Sequence, residues 1–196
     1  MKAVWLPVAA LALATLTPST ARAAGADDVL VAPQSGRVDF TIFAKMLFTV
    51  KKEGQFKDFT GEISYDPTRP SDTHVELTIF TSSVNMKDPD HVQLLKSSEF
   101  FDVDQYPTMR FVSAATVVRA DGSIAVTGDL TIRDVTRRID VPVTVRNNSF
   151  ETTFEIDRTE FGLNGVPNWG GINVSIAKHV EIHIAVGLAR GARPTP

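Results

Sequence analysis

The 196-residue sequence contains no cysteine. Thiol catalysis, iron–sulfur clusters and thiolate zinc sites are therefore excluded, because each of them requires cysteine sulfur. Disulfides, which exported proteins of this size often use, are excluded as well, but a core of about 150 residues can be stable without them. The sequence also lacks the G-x-S-x-G turn of serine hydrolases and a Gly-rich phosphate loop before a helix. No catalytic residue is predicted.

Positive charge is also scarce, with 20 basic residues against 23 acidic ones and a formal net charge of -3. Binding of nucleic acid requires clustered positive charge, so no nucleic-acid partner is expected. The hydrophobic fraction of 43% and the charged fraction of 22% are typical of an ordinary globular protein.

The first 23 residues have the pattern of a secretory signal peptide. Lys2 precedes an apolar stretch from Ala3 to Leu16, and the segment ends in Ala21-Arg22-Ala23. The apolar stretch is too short to prefer spanning a membrane. We therefore expect cleavage near Ala23 and a periplasmic location. The remaining chain is divided into a leader (24–36), one domain (37–189) and a tail (190–196) that is predicted to be disordered.

Apolar residues alternate with polar ones through most of the domain, which is the periodicity of half-buried strands. The first such segment is "RVDFTIFAKMLFTV", interpreted as one strand, and seven similar segments follow it. Several are joined by tight-turn signals such as Asp121-Gly122. One short helix is predicted near 89–97, with Asp88 as N-cap and Pro89 in its first position. The pattern favours a mainly all-β fold of eight antiparallel strands, either a barrel or a sandwich.

Alternation alone does not distinguish a soluble barrel with an apolar lumen from an outer-membrane barrel with an apolar exterior. The sequence shows no aromatic belt at the strand ends, and it ends in a polar tail. The capped amphipathic helix can cover an open barrel end. These features favour the apolar lumen.

The four histidines are the only candidates for acid-base chemistry near neutral pH, and two of them lie with a glutamate in a pattern that superficially offers metal ligands. His179, Glu181 and His183 share one strand face, but the outer two are about 13 Å apart along an extended strand, too far to bind one metal ion. They alternate with Val180 and Ile182, so a solvated outer face is the preferred interpretation and no metal site is predicted.

Four segments in the same order resemble the YceI-like, polyisoprenoid-binding family. They are "GQFKDFTGEISYDP", "SSVNMKDPDHVQLLKSSEFFDVDQYPTMRF", "VTGDLTIRDVTRRIDVPV" and "TTFEIDRTEFGL" followed by "HVEIHI". The resemblance runs from about Val38 to Val186. It implies a lipocalin-like eight-stranded barrel with an elongated apolar cavity that holds a long isoprenoid chain, often in a dimer. The sequence departs from the family at Asp134, where glycine is usual, and at Ala177-Lys178, where Gly-Asp is common; both positions lie in predicted turns.

The inward strand faces supply the candidate cavity lining, although a filled core is an alternative. Gly61 and Gly128 are small residues within strands that leave room inside the barrel or mark bulges. The predicted lining residues are Phe40, Ile42, Phe48, Phe59, Ile63, Phe111, Val126, Leu130, Phe154 and Ile156.

A second group of residues is predicted at a cavity mouth or plug. Phe100 and Phe101 follow the helix, where they need not alternate, so both can turn inward. His91 either makes local hydrogen bonds in the first helical turn or contacts a polar headgroup. The long loop "RTEFGLNGVPNWGGINVS" is either a lid or a disordered connection. The predicted mouth or plug residues are His91, Leu94, Phe100, Phe101 and Trp169.

The predicted function is carriage, storage or scavenging of a polyprenol or isoprenoid quinone, without catalysis and without a cofactor other than that bound lipid or quinone. Besides the apolar lipid, the expected partners are a membrane or membrane protein in transient contact and a second copy of the chain in a homodimer. The alternatives are a protein-interaction module with a filled core and a binder of another amphiphile such as a fatty acid or amide.

Overall fold

The structure, a computed structural model, describes residues 27–45, 48–146, 149–165, 168–169 and 172–187. The described chain is mainly β-sheet, with one α-helix, α1 (Pro89–Lys96), and short 3-10 turns at Pro70–Asp72, Thr81–Ser83 and Arg158–Phe161. The strands are β1 (Asp27–Val31), β2 (Gly36–Lys45), β3 (Thr49–Phe56), β4 (Phe59–Tyr65), β5 (His74–Phe80), β6 (Val84–Met86), β7 (Thr108–Val118), β8 (Ile124–Ile132), β9 (Val135–Arg146), β10 (Ser149–Asp157), β11 (Asn168–Trp169), β12 (Ile172–Asn173) and β13 (Ser175–Gly187).

Eleven of these strands form one antiparallel sheet in the order β1-β4-β5-β7-β8-β9-β10-β13-β2-β3-β6, and β11 and β12 pair with each other. Three long strands in the sheet are interrupted: β2 continues β1, β4 continues β3 and β6 continues β5. β1 and β2 pair with β4 and β3, so the first two long strands lie side by side over both of their halves. Counting each interrupted strand once gives eight strands.

The eight strands close on themselves. β13 pairs with β10 on one side and with β2 on the other. At the interruptions, Lys57 N–H donates to Ser83 O at 3.2 Å and Phe80 N–H donates to Asp58 O at 3.1 Å. The second and third strands therefore remain joined where both bend. The predicted antiparallel barrel is confirmed.

The first predicted strand was placed wrongly. β2 ends at Lys45, β3 begins at Thr49, and these two residues pair across a hairpin. Phe48 therefore lies at the hairpin and is 70% exposed. No Gly, Pro, Asn or Asp marks this turn, so the alternation of apolar residues ran through it without a visible break.

The segment interpreted as a leader contributes to the barrel. β1 lies within it and pairs with β4 from Asp27↔Tyr65 to Val31↔Gly61. The side chains of Val29 and Val31 are buried in the core. The first barrel strand thus begins before residue 37.

The predicted helix is confirmed in position and capping. The Asp88 carboxylate accepts a hydrogen bond from Asp90 N–H at 3.0 Å, and Pro89 occupies the first turn, where its missing N–H is not needed. The helix ends at Lys96, and Ser97 N–H bonds to the carbonyls of Gln93 and Leu94. The chain then leaves the helix in a series of turns up to β7.

The two departures from the family pattern lie in different settings. Asp134 follows Arg133 in the turn between β8 and β9, and it is Arg133 that adopts the left-handed conformation, at φ 57°. Ala177-Lys178 lies in β13, at a register shift between Ile176 and Val180. That site is an irregularity in the pairing of β13 with β2 and not the predicted turn.

The predicted signal peptide (1–23) and the predicted tail (190–196) lie outside the described residues. Within the described part of the chain, no helix is long and apolar enough to cross a membrane.

Candidate functional site

A cavity of about 180 Å³ runs inside the barrel, and all eight long strands contribute to its wall. A small volume spread over so many strands means that the cavity is narrow and long. Typical sites for compact drug-sized ligands hold roughly 300–1,000 Å³. The shape therefore suits a slender chain better than a bulky rigid ligand.

Eight of the ten predicted lining residues lie on the cavity wall: Phe40, Ile42, Ile63, Phe111, Val126, Leu130, Phe154 and Ile156. The predictions for Phe48 and Phe59 are wrong for different reasons. Phe48 lies at the exposed β2–β3 hairpin, as described above. Phe59 is buried in the core but does not border the cavity, because it lies at the first position of β4, next to the bend.

Strands β9 and β13 supply much of the wall that the predicted set left out. Their inward faces were visible as alternating apolar residues, and the signal was therefore present in the sequence. The lining residues from these strands are Ile139, Val141, Val143, Ile176, Val180, Ile182, Ile184 and Val186.

Two glycines inside the barrel make space that phenylalanine rings occupy. A Cβ on Gly128 would lie 2.4 Å from the Phe111 ring, and one on Gly54 would lie 2.2 Å from the Phe40 ring. These rings lie directly over the glycine backbones of the neighbouring strands. The room predicted at Gly128 therefore exists, but a ring fills it. At Gly61 a Cβ would meet the backbone carbonyl of Glu76 at 2.2 Å, so this glycine permits close approach of strands.

Charged residues beside the cavity direct their charges elsewhere. Glu76 and Arg110 form an ion pair of 2.7 Å with both side chains about half exposed. Asp39 lies 3.4 Å from Arg37 and 3.7 Å from the ring of His183, also at partly exposed positions. Apart from the buried Arg158, the wall that faces the cavity is therefore nearly free of charge.

Phe100 and Phe101 close the end of the barrel where α1 lies. Phe100 is 3% exposed, Phe101 is half-buried, and both border the cavity. The Phe101 ring meets the Phe56 ring edge-on with centroids 5.6 Å apart. The Phe100 ring lies against Gly165, where a Cβ would approach within 2.4 Å. The geometry is that of the predicted plug.

Two of the other predicted mouth or plug residues, His91 and Leu94, lie away from the cavity wall. His91 is buried and Leu94 packs against the core at a partly buried position, but neither borders the cavity. Leu95 borders the cavity instead. It lies four residues after His91 in α1 and therefore on the same face of the helix. Trp169 belongs to β11, and its side chain lies outside the described residues.

His91 has an environment that disfavours its charged form. Burial lowers the pKa of His91, while the nearby Asp88 carboxylate, 3.6 Å from the imidazole Nδ1, acts in the opposite direction. This histidine is therefore mainly neutral at neutral pH, in keeping with a position in the packing between helix and barrel.

Arg158 is a buried cation on the cavity wall that sequence reasoning missed. It is 9% exposed, and its guanidinium donates to the carbonyls of Ala177 (3.1 Å), Ile176 (3.3 Å) and Leu163. Burial lowers the pKa of Arg158, and the neighbouring Asp157 carboxylate counteracts this effect. Arg158 ties the chain after β10 to the start of β13, at the same barrel end as the plug.

The histidine group on β13 lies on the strand face that points away from the cavity. Among the described residues, no group of three or more His, Asp or Glu side chains is arranged to hold a metal ion. In the register of β10 with β13, Glu181 lies opposite Glu155 and His179 opposite Asp157, on the face away from the cavity-lining Val180. This placement agrees with the predicted solvated outer face.

Comparison with known proteins gives the same fold and a family. Residues 30–188 match the model of the YceI-like domain. A UPF0312 protein of Pseudomonas savastanoi pv. phaseolicola is 30% identical over 169 residues, which cover 81% of this chain and 87% of that protein.

Two solved structures are similar in fold. Burkholderia cenocepacia BcnA superposes with a TM-score of 0.66 at 28% identity, over 77% of this chain and 96% of BcnA. A polyisoprenoid binding domain from Saccharophagus degradans, implicated in plant cell wall breakdown, superposes with a TM-score of 0.58 over 82% of this chain and 97% of that domain. At 15% identity the latter likeness concerns the fold alone. With the family match covering most of the chain, this protein belongs to the YceI-like domain family.

Proposed function

We propose that this protein is an exported, non-catalytic carrier or scavenger that holds a long isoprenoid-type lipid, such as a polyprenol or an isoprenoid quinone, inside the barrel. The observation that carries the proposal is the narrow, long cavity with apolar side chains from all eight long strands. An extended hydrocarbon chain gains about 25 cal/mol for each Å² of apolar surface removed from water and needs no charged partner. The similar Saccharophagus domain is a polyisoprenoid binding domain, which supports the same ligand class.

Export rests on the signal-peptide pattern of residues 1–23, and the carrier role rests on the absence of a catalytic motif in the sequence. The only bound group in this proposal is the lipid or quinone itself. Transient contact with a membrane or membrane protein would give the lipid a source and a destination. A homodimer is the oligomeric state that belongs to this proposal.

The first test is to identify what the purified protein contains. Protein isolated from the periplasm is analysed by native mass spectrometry, followed by organic extraction and lipid analysis. A co-purifying polyprenyl or quinone species is expected. Recovery of a fatty acid or amide would change the ligand class, and a ligand-free protein that also takes up no offered polyprenol would contradict the proposal.

A cavity-filling variant then separates binding in the lumen from binding elsewhere. Val126 is 1% exposed and borders the cavity, so Val126→Phe places a ring where the lipid would lie. Val117→Phe is the matched control, because Val117 is 59% exposed on the adjoining strand β7. We expect Val126→Phe to remain folded and to lose lipid uptake, while Val117→Phe retains it. Equal uptake by both variants would place the lipid outside the barrel.

A further inference from the structure

The ladder of paired residues in the barrel wall is incomplete between β9 and β10. β9 has 12 residues and β10 has 9, yet they pair at three positions only: Arg146↔Ser149, Val145↔Phe150 and Thr144↔Glu151. On its other side, by contrast, β9 pairs with β8 at nine consecutive positions from Val135 to Val143. The two strands thus share a ladder near their hairpin and are not paired beyond it.

Pro142 explains why the ladder stops at Thr144. In an antiparallel ladder the hydrogen-bonded pairs recur at every second residue, and the pair that flanks a two-residue hairpin loop is one of them. Arg146 flanks the loop here, so the backbone N–H of Thr144 also points towards β10. Position 142 is the next one at which a backbone N–H would donate in that direction. Proline has no N–H, and in sheets it is found where its nitrogen faces an unpaired edge. Pro142 lies opposite Ala125 in the register of β9 with β8. Its nitrogen faces β10, and it offers no N–H there to extend the ladder.

The unpaired stretch of the two strands, called the slit here, borders the cavity directly. Beyond the last paired positions, Val141 and Ile139 of β9 and Phe154 and Ile156 of β10 all border the cavity. Thr152, the first residue of β10 past the ladder, also borders it, and its buried Oγ1 has no hydrogen-bond partner among the described residues. The two edges of the slit are therefore apolar inside, while Asp140 and Glu155 are exposed outside.

We propose that this slit, between 135–143 of β9 and 152–157 of β10, is the portal through which the hydrocarbon chain of the ligand passes sideways into the barrel. The inference rests on the proposed lipid-binding function and adds a route to it. The barrel end beside α1 is closed by Phe100 and Phe101, so a chain arriving there would have to displace the buried Phe100 ring and the half-buried Phe101 ring. At the slit, no register pair has to break, and the apolar edges lead the chain directly to the lumen.

The portal is tested by bridging the slit. Because the chain has no cysteine, Asp140→Cys with Glu155→Cys creates a unique thiol pair across the slit, and both positions are exposed. A reducible bis-methanethiosulfonate cross-linker joins the pair. The matched control is Glu155→Cys with Glu181→Cys, because these residues pair across the intact β10–β13 ladder. The readout is the rate and the final extent of solanesol uptake from phosphatidylcholine vesicles.

We expect the bridge across the slit to stop uptake, reduction of the bridge to restore it, and the control bridge to leave it unchanged. Uptake that continues at an unchanged rate with the slit bridged would overturn the portal and leave lipid binding intact. If the protein takes up no solanesol before any cross-linking, the proposed function fails and the portal fails with it.

A second variant tests the cause assigned to the slit. Pro142→Val restores a backbone donor facing β10, and Thr144→Val is its control, because Thr144 already pairs there. If the restored bond extends the ladder, uptake should slow by about five-fold, the effect of one net hydrogen bond. Hydrogen exchange should show new protection in 152–155. New protection without a slower rate of uptake would show that the slit is not the route.

Discussion

At the scale of single residues, Arg158 is a buried polar group on the cavity wall whose replacement is expected to be costly. Its guanidinium donates to three carbonyls belonging to the loop after β10 and the start of β13. Removing the guanidinium leaves buried acceptors unsatisfied, at a cost of roughly 1–3 kcal/mol for each one that water cannot reach. We expect Arg158→Met to lower the free energy of unfolding by about 3 kcal/mol, measured by urea denaturation.

The control for Arg158 is an exposed arginine that is paired with a carboxylate. Arg138 forms a two-bond ion pair with Asp129, at 2.7 and 2.9 Å, on the exposed face of the sheet. Exposed pairs of this kind contribute about 0–1 kcal/mol. Arg138→Met should therefore cost much less than Arg158→Met. Equal costs would mean that the carbonyls around Arg158 find other donors.

At the scale of elements, the segment between α1 and β7 forms the plug because it is not a strand. Its neighbouring aromatic side chains therefore need not point to opposite faces. Phe100 is 3% exposed and packs on Gly165, while Phe48, another phenylalanine outside the strands, is 70% exposed. Truncating a buried phenylalanine typically costs about 3–5 kcal/mol. We expect Phe100→Ala to lower the free energy of unfolding in this range and Phe48→Ala to change it by less than about 0.5 kcal/mol. A Phe100→Ala variant no less stable than Phe48→Ala would place the ring outside the packed end of the barrel.

The elements also show which parts of the fold can be predicted from sequence. The helix was predictable because Asp88 and Pro89 mark its start chemically. The inward faces were predictable because successive side chains of a strand point to opposite faces of the sheet. Position along the barrel was not: the polar run from Lys51 to Gly54 resembles a turn, but it is the middle of β3. Alternation also does not reveal a hairpin without turn residues, which is why Phe48 was misplaced.

Two further features depend on tertiary packing that no local pattern encodes. Whether Leu94 or Leu95 faces the cavity depends on how α1 rotates against the barrel, and both choices are compatible with an amphipathic helix. Arg158 carries no local sequence signal of burial, because its three acceptors lie 5 to 19 residues away in sequence. Pro142, in contrast, was visible in the strand, and its significance appears only once its neighbour is known to be β10.

At the scale of the whole molecule, the affinity of a closed barrel with a narrow lumen should depend on the length of the ligand chain. β13 has 13 residues. At about 3.3 Å per residue and a strand tilt of about 40°, this corresponds to an axial span of roughly 33 Å. A longer hydrocarbon chain buries more apolar surface until it fills this span, and further units then remain in water.

The dissociation constant should therefore fall from farnesol to geranylgeraniol and level off for the longest polyprenols such as solanesol. Each added methylene-sized group contributes up to about 0.8 kcal/mol, reduced by the cost of ordering the chain. Competition with a fluorescent polyene lipid measures the series on delipidated protein. In a milder filling variant, Val126→Leu, the levelling should occur at a shorter chain, because the lumen is blocked part of the way along β8. Affinity that is independent of chain length, in wild type and variant alike, would mean that the barrel binds the headgroup and leaves the chain outside.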